Sequence, residues 1–237
     1  MRLGQRIAVV IPALNEERAI GRVLAEIPSW VDQVVVADNG SRDRTAEVAA
    51  GGGAVVVHEP EPGYGAACLK GIAAADDADI IVFLDGDYSD YPAEMAVLVD
   101  PIASGDCDMV IGSRVLGRRE AGSLTPQQRF GNGLATWLIR LIWGVAFTDL
   151  GPFRAIRRSA LAKLQMCDRT YGWTVEMQIK AAILGLRCRE VPVSYRRRIG
   201  VSKVSGTIKG TVLAGTKILS LIALYGLRWR RFPAATP

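Results

Sequence analysis

The 237-residue sequence contains one histidine, His58, and four cysteines that form no CxxC pair. This shortage argues against a zinc site and against a disulfide framework. We interpret the cysteines as reduced thiols of a cytosolic protein. The glycine patterns GxGxxG and GxxxxGK[ST] are also missing, which argues against a Rossmann dehydrogenase and a P-loop NTPase.

The sequence also lacks an apolar run long enough to span a bilayer. The first run, residues 7–13, is too short for a signal peptide and predicts a strand. The most apolar stretch, residues 207–231, has Lys217 at its centre, and its apolar part falls short of the roughly 20 residues that a span requires. Its basic and aromatic end is typical of a helix lying on an anionic lipid surface.

These features predict a globular domain over residues 1–206 and, over 207–237, a C-terminal helix in peripheral contact with the cytoplasmic face of a membrane. The alternative is a helix packed on the domain or against a second copy, so the sequence leaves a homo-oligomer open.

Acidic residues are scarce in the second half of the chain. Residues 109–237 hold 22 Lys and Arg against 5 Asp and Glu, whereas residues 1–108 hold 7 against 19. A basic half attracts phosphate, nucleic acid or an acidic membrane. Nucleic acid is disfavoured, because the basic half is apolar between its charges and the acidic half would repel a phosphate backbone.

Short Val- and Ile-rich runs alternate with helical stretches along the chain. Strands are predicted at 7–13, 31–40, 54–60, 78–87, 107–114 and 189–195, and helices at 16–27, 45–51, 63–75, 132–147, 168–185 and 207–231, with Asn15 as the cap of the first helix. Continuous apolar strands are typical of a parallel sheet buried on both faces. The pattern predicts a doubly wound α/β fold, in which ligands bind at the carboxyl ends of the strands.

The sharpest local feature is Asp85-Gly86-Asp87, directly after an apolar strand. Two neighbouring carboxylates repel each other unless a cation lies between them. Mg²⁺ or Mn²⁺ prefers carboxylates, waters and substrate phosphates. The motif therefore predicts a metal bridge to a diphosphate. Asp38 and Glu16 also follow strands, where each could bind a ligand or serve as a turn or cap residue.

Eight motifs together resemble the family 2 glycosyltransferases of the GT-A fold, and most closely the dolichyl- and polyprenyl-phosphate sugar synthases. They are VVIPALNEE (9–17), VVVADNGSRDRT (34–45), GYGAACLKG (63–71), IIVFLDGDYSDYP (80–92), VIGSR (110–114), DLGPFRAIRRSAL (149–161), YGWTVEMQIKA (171–181) and VPVSYRRRIGVSK (191–203). The resemblance covers roughly residues 7–203 in the family's order.

The resemblance implies a GT-A fold and a role for each matching residue. The nucleotide-sugar would contact Pro12, Asn15, Glu16, Asp38, Asp85, Gly86 and Asp87. Asp87 and Asp85 would hold the divalent cation, with Asp87 as the direct ligand. The phosphates and the acceptor would contact Arg114, Arg129, Arg197, Arg198, Ser202 and Lys203, since arginine binds phosphate bidentately.

The implied activity is transfer of a sugar, with inversion, from a UDP- or GDP-sugar to a polyprenyl or dolichyl phosphate. Asp87 and Arg114 would then be catalytic, and the acceptor phosphate would attack without a general base. If the acceptor is instead a soluble or cell-wall hydroxyl, a base is required. Glu176 is the candidate base, with a helix-face salt bridge as its alternative. A third reading is a catalytically silent nucleotide-sugar-binding protein.

Overall fold

A computed structural model of the chain describes residues 1–75, 77–200 and 208–229. Seven strands form a single sheet in the order β3-β2-β1-β4-β6-β5-β7. They are β1 (Ile7–Ala13), β2 (Gln33–Asp38), β3 (Val55–His58), β4 (Ile80–Phe83), β5 (Met109–Ser113), β6 (Arg154–Arg157) and β7 (Cys188–Pro192). All pairs are parallel except those of β6, which runs antiparallel to β4 and β5. The predicted mostly parallel α/β sheet is confirmed.

Helices cover both faces of the sheet. They are α1 (Ile20–Ala25), α2 (Thr45–Gly51), α3 (Tyr64–Ala74), α4 (Met95–Ala103), α5 (Pro126–Trp143), α6 (Arg158–Leu164), α7 (Trp173–Ile183) and α8 (Ile208–Trp229). Alternate residues of β1 face opposite cores: Val9 packs with the α1, α2 and α4 side, and Val10 with the side of α3 and α5 to α8. This alternation is the two-residue period of a strand buried on both faces.

The helix after β1 begins at Ile20, capped by Ala19, four residues later than predicted. The prediction that Asn15 caps it is wrong. Asn15 has a φ of 52°, its backbone N–H donates to Ser41 Oγ over 2.9 Å, and its side-chain oxygen accepts from Arg42 N–H over 2.8 Å. Asn15 therefore ties the end of β1 to the loop that follows β2.

α5 begins at Pro126, six residues before the predicted start. Thr125 accepts a hydrogen bond from Gln128 N–H, and the Gln128 side chain accepts one from Thr125 N–H. This capping box fixes the helix start, and proline suits the first helical position because its missing N–H is not needed there. No element is predicted for residues 92–106 or 154–164, where the structure has α4, β6 and α6.

α8 packs against α5 and α7 on one face of the sheet. Leu221 and Ile222 are buried in this contact, and Lys217 Nζ lies 2.6 Å from a carboxylate oxygen of Asp168. The predicted boundary at residue 206 falls outside the described residues, as do Arg230 and Arg231. Among the helices within the described ranges, none is long and apolar enough to cross a membrane.

Candidate active site

A cleft of about 1680 Å³ opens at the carboxyl ends of β1, β2 and β4. Its lining includes the predicted residues Pro12, Glu16, Asp85, Gly86, Asp87, Arg114, Arg129, Arg197 and Arg198. The parallel sheet brings these residues together because the carboxyl ends of its strands share one edge. β4 ends at Phe83, so Asp85 and Asp87 lie in the loop beyond the strand and not within it.

Asp87 is almost fully buried at the floor of the cleft. One of its carboxylate oxygens, Oδ1, accepts a hydrogen bond of 2.9 Å from Ser89 N–H and another from the Ser89 hydroxyl. The other oxygen, Oδ2, forms an ion pair with the guanidinium of Arg198. Asp87 therefore has a protein cation, Arg198, as its partner in this structure.

Asp85 lies beside Asp87 and accepts a hydrogen bond of 3.0 Å from Tyr64 Oη. Burial raises the pKa of Asp85, and the positive charge of Arg198 offsets part of that rise. Tyr64 stands between Gly63 and Gly65, and a Cβ on Gly65 would lie 2.0 Å from the carbonyl oxygen of Asp168. The GYG motif thus allows α3 to start against the 168–170 backbone, which places the tyrosine hydroxyl on Asp85.

Asp90 is a site residue that the sequence motifs did not single out. It is 1% exposed, and one of its carboxylate oxygens accepts from Asp85 N–H over 3.3 Å. Its Oδ1 atom has no hydrogen-bond partner within the described part of the chain. Burial and the negative charge of Asp85 raise the pKa of Asp90 to about 7. The available signal was its spacing, three residues after Asp87.

Arg114 also has a partner that was not predicted. Its Nε and Nη2 atoms donate to the two carboxylate oxygens of Asp149 over 2.8 and 2.7 Å. Burial alone would raise the pKa of Asp149, but the Arg114 guanidinium holds that pKa below its ordinary value. This bidentate pair fixes Arg114 at the cleft wall, where its exposed edge faces the ligand space.

The three consecutive arginines after β7, Arg196 to Arg198, make different contacts. Arg196 forms an ion pair of 2.7 Å with Glu26, and its guanidinium stacks 3.3 Å from the ring centroid of Tyr88. Arg197 donates from Nε to the carbonyl of Ala121 over 2.6 Å. Arg198 alone reaches Asp87. Arg196 is therefore a structural residue, while Arg197 and Arg198 line the cleft.

Two residues predicted to contact the nucleotide-sugar, Asn15 and Asp38, do not line the cleft. Asp38 is 5% exposed, accepts from Ser41 N–H over 3.3 Å and lies 3.4 Å from His58 Nδ1. The cleft lining includes Asn39 and neither Asp38 nor Asn15. The Oδ1 atom of Asp38 is buried with no hydrogen-bond partner among the described residues, so this carboxylate keeps a free acceptor beside the cleft.

Glu176, the candidate base for a hydroxyl acceptor, does not line the cleft. Its carboxylate accepts from Asp168 N–H over 2.8 Å and from Tyr225 Oη over 3.1 Å, and it lies 2.7 Å from Lys180 Nζ. The salt-bridge alternative is the observed one. Glu176 connects α7 to α8. Ser202 and Lys203, predicted for the acceptor side, lie outside the described residues.

Residues 8–165 match the family model described as Glycosyl transferase family 2. An uncharacterized glycosyltransferase of Mycobacterium tuberculosis is 40% identical over 213 residues, which are 89% of this chain and 95% of that protein. A dolichyl-phosphate hexose transferase of Haloferax volcanii is 33% identical, over 87% of this chain and 90% of that protein. A crystal structure of glucosyl-3-phosphoglycerate synthase from Mycobacterium tuberculosis with Mn²⁺, UDP and phosphoglyceric acid is similar, with a TM-score of 0.75, 25% identity and coverage of 94% of this chain and 79% of that one.

Proposed function

Because the chain belongs to glycosyl transferase family 2, we propose that it transfers a sugar, with inversion, from a UDP- or GDP-sugar to a polyprenyl or dolichyl phosphate. The observation that carries the acceptor class is the contrast between the two sides of the cleft. All the carboxylates in the described lining, Glu16, Asp85 and Asp87, come from the loops after β1 and β4. The opposite side, from residues 114–134, 195–198 and 214–219, contributes arginines together with apolar and uncharged polar side chains.

The carboxylate side suits a nucleotide diphosphate held through a divalent cation. No group of three or more His, Cys, Asp and Glu that could hold a metal exists in the described ranges. The protein thus offers a partial ligand set, as expected for Mg²⁺ or Mn²⁺ that shares substrate phosphates. Asp87 would be the main ligand, with Asp85 beside it. The bound cation would stabilise negative charge on the departing nucleotide.

The arginine side suits an acceptor that is already anionic. Arg119, Arg129 and Arg197 line this side with Arg114 and Arg198. A phosphate oxygen is ionised at neutral pH, so it can attack the anomeric carbon directly while the arginines orient it and compensate its charge. A hydroxyl acceptor would need a general base, and the acceptor side of the described lining contains no carboxylate.

The apolar part of the acceptor side fits a lipid chain. Its residues come from α5, from the loop before β6 and from α8, namely Phe130, Leu134, Leu150, Ala214, Ile218 and Leu219. Phe130 is 74% exposed at the mouth of the cleft. An isoprenoid attached to the phosphate could leave the cleft along this wall, burying apolar surface as it does so. A small polar acceptor makes no use of such a wall.

The same helices favour peripheral contact with a membrane. Trp137 and Leu141 on α5, and Leu224 and Leu227 on α8, are exposed large apolar side chains. Exposed apolar clusters of this kind mark interaction surfaces, and an interfacial helix buries such a face at the headgroup boundary. We propose that this surface rests on the membrane that holds the lipid acceptor.

The test is a transfer assay with Mn²⁺ or Mg²⁺, a panel of UDP- and GDP-sugars, and undecaprenyl or dolichyl phosphate in detergent. We expect a lipid-linked product, and a Leu219→Glu variant should raise KM for the lipid while KM for the donor stays unchanged. An Asp106→Asn variant on the exposed surface is the control. Transfer to phosphoglyceric acid or another soluble acceptor, with none to lipid, would overturn the lipid proposal. Donor binding without any transfer would leave a silent binding protein.

A further inference from the structure

The Arg198–Asp87 ion pair occupies the oxygen that the proposed metal would need. Asp87 Oδ1 is already taken by the backbone N–H and hydroxyl of Ser89, so Oδ2 is the oxygen left for a cation. Arg198 reaches this same oxygen. A divalent ion and a guanidinium compete for one carboxylate oxygen, because the two positive charges repel each other at such close range.

The backbone on both sides of this pair is fixed. Ile199 N–H donates to the carbonyl of Asp87 over 2.9 Å, and Arg196 N–H donates to the carbonyl of Ser89 over 2.9 Å. The side chains differ: that of Asp87 is 2% exposed and that of Arg198 is 31% exposed. The arginine side chain therefore has room to leave towards the cleft, whereas the carboxylate stays where it is.

From this geometry we propose that Arg198 is an exchangeable counter-ion of Asp87, which the metal replaces when a nucleoside diphosphate enters and offers Arg198 a new anionic partner. The inference rests on the metal-dependent donor binding proposed above. A buried carboxylate without a cation is costly, so Arg198 protects Asp87 before the donor binds. A divalent ion that binds without nucleotide must displace the Arg198 guanidinium, which is then left without an anionic partner. When the ion and a diphosphate bind together, Asp87 pairs with the ion and Arg198 pairs with the diphosphate.

The consequence is positive coupling between metal and nucleotide, which is equal in both directions. Removing the arginine should have two effects. Mn²⁺ should bind more tightly in the absence of nucleotide, because nothing has to be displaced. The additional gain in Mn²⁺ affinity that a nucleotide provides should shrink, because the diphosphate no longer relieves a displaced guanidinium.

The experiment titrates Mn²⁺ into the full chain, following free Mn²⁺ by electron paramagnetic resonance, with and without UDP or GDP. Arg198→Gln should tighten Mn²⁺ binding about 10-fold without nucleotide. Arg118→Gln is the control, since Arg118 is an exposed arginine that does not line the cleft. In this control, Mn²⁺ affinity without nucleotide should equal that of wild type.

A second measurement covers the case in which Arg198→Gln folds poorly. In EDTA its Tm should lie below that of wild type, and saturating Mn²⁺ should restore it. On an Asp87→Asn background the same arginine substitution should lower Tm much less, because the buried charge is gone. Equal Mn²⁺ affinities of Arg198→Gln and wild type would overturn the exchange. If wild type binds no Mn²⁺ even with nucleotide, the metal assignment of the proposed function is overturned with it.

Discussion

Two groups of buried acids in this protein have opposite surroundings. At the cleft floor, burial raises the pKa of Asp85 and of Asp90, and Asp90 Oδ1 has no hydrogen-bond partner among the described residues. Between α7 and α8, burial of Glu176 is outweighed by hydrogen bonds from Cys167, Lys180 and the Asp168 N–H, which lower its pKa.

This difference in hydrogen-bond partners distinguishes a candidate ligand site from a contact that only holds two helices together. A carboxylate whose oxygens are all satisfied by the protein holds elements together and has nothing left for a ligand. Carboxylates that remain short of partners in a cleft, with raised pKa values, are candidates for binding a cation or substrate. Asp85 and Asp90 belong to the second kind by their raised pKa values. Asp87 has Ser89 and Arg198 as its present partners.

The largest expected effect is on Asp87. Asp87→Asn keeps the shape of the side chain and removes the charge, so we expect kcat/KM for sugar transfer with Mn²⁺ to fall about 10²–10³-fold. Circular dichroism should show an unchanged fold, and Asp106→Asn should transfer sugar like wild type. A variant that retained wild-type turnover at saturating Mn²⁺ would remove Asp87 from the proposed metal site.

Glu176→Gln should affect stability and not chemistry. Losing charge-assisted hydrogen bonds should cost about 2 kcal/mol in the free energy of unfolding by urea, with kcat per folded molecule changed less than about twofold. Because the folded-state pKa lies below its ordinary value, the charge stabilises the fold above about pH 4.3 and this benefit is lost as the pH falls further. The difference between variant and wild type should therefore shrink in acid. A large drop in kcat at unchanged stability would reinstate Glu176 as a base.

Asp90→Asn should show the opposite pH dependence and a smaller effect. The folded-state pKa of about 7 lies above the ordinary value of 3.8, so the folded protein keeps a proton that the unfolded chain has released. Wild-type stability then falls as the pH rises from about 4 to about 7. Asparagine cannot ionise, and the variant should gain about 1 kcal/mol on wild type between pH 6 and pH 7 in EDTA. Parallel stability curves for the two proteins would contradict the raised pKa.

Much of the fold could be predicted because its signals are local. The bounds of β1 (Ile7–Ala13) and α2 (Thr45–Gly51) agree with the apolar runs and turn residues that predict them. The start of α5 also has a local signal, since Thr125 and Gln128 form a capping box around Pro126, six residues before the predicted start. β6 could not be predicted this way: its four residues become a strand by pairing with β4 and β5.

The same distinction between local signals and long-range contacts applies to the candidate site. By itself, the sequence determined a mostly parallel α/β fold and an acidic motif at the end of β4, since strand periodicity and residue order are properties of neighbouring residues. Only the tertiary structure decided that Glu176 is paired with Lys180, that Arg114 is paired with Asp149, and that Arg198 is the arginine on Asp87. A carboxylate's role depends on the charges and donors that the fold brings to it, and in two of these three pairs they come from distant parts of the chain.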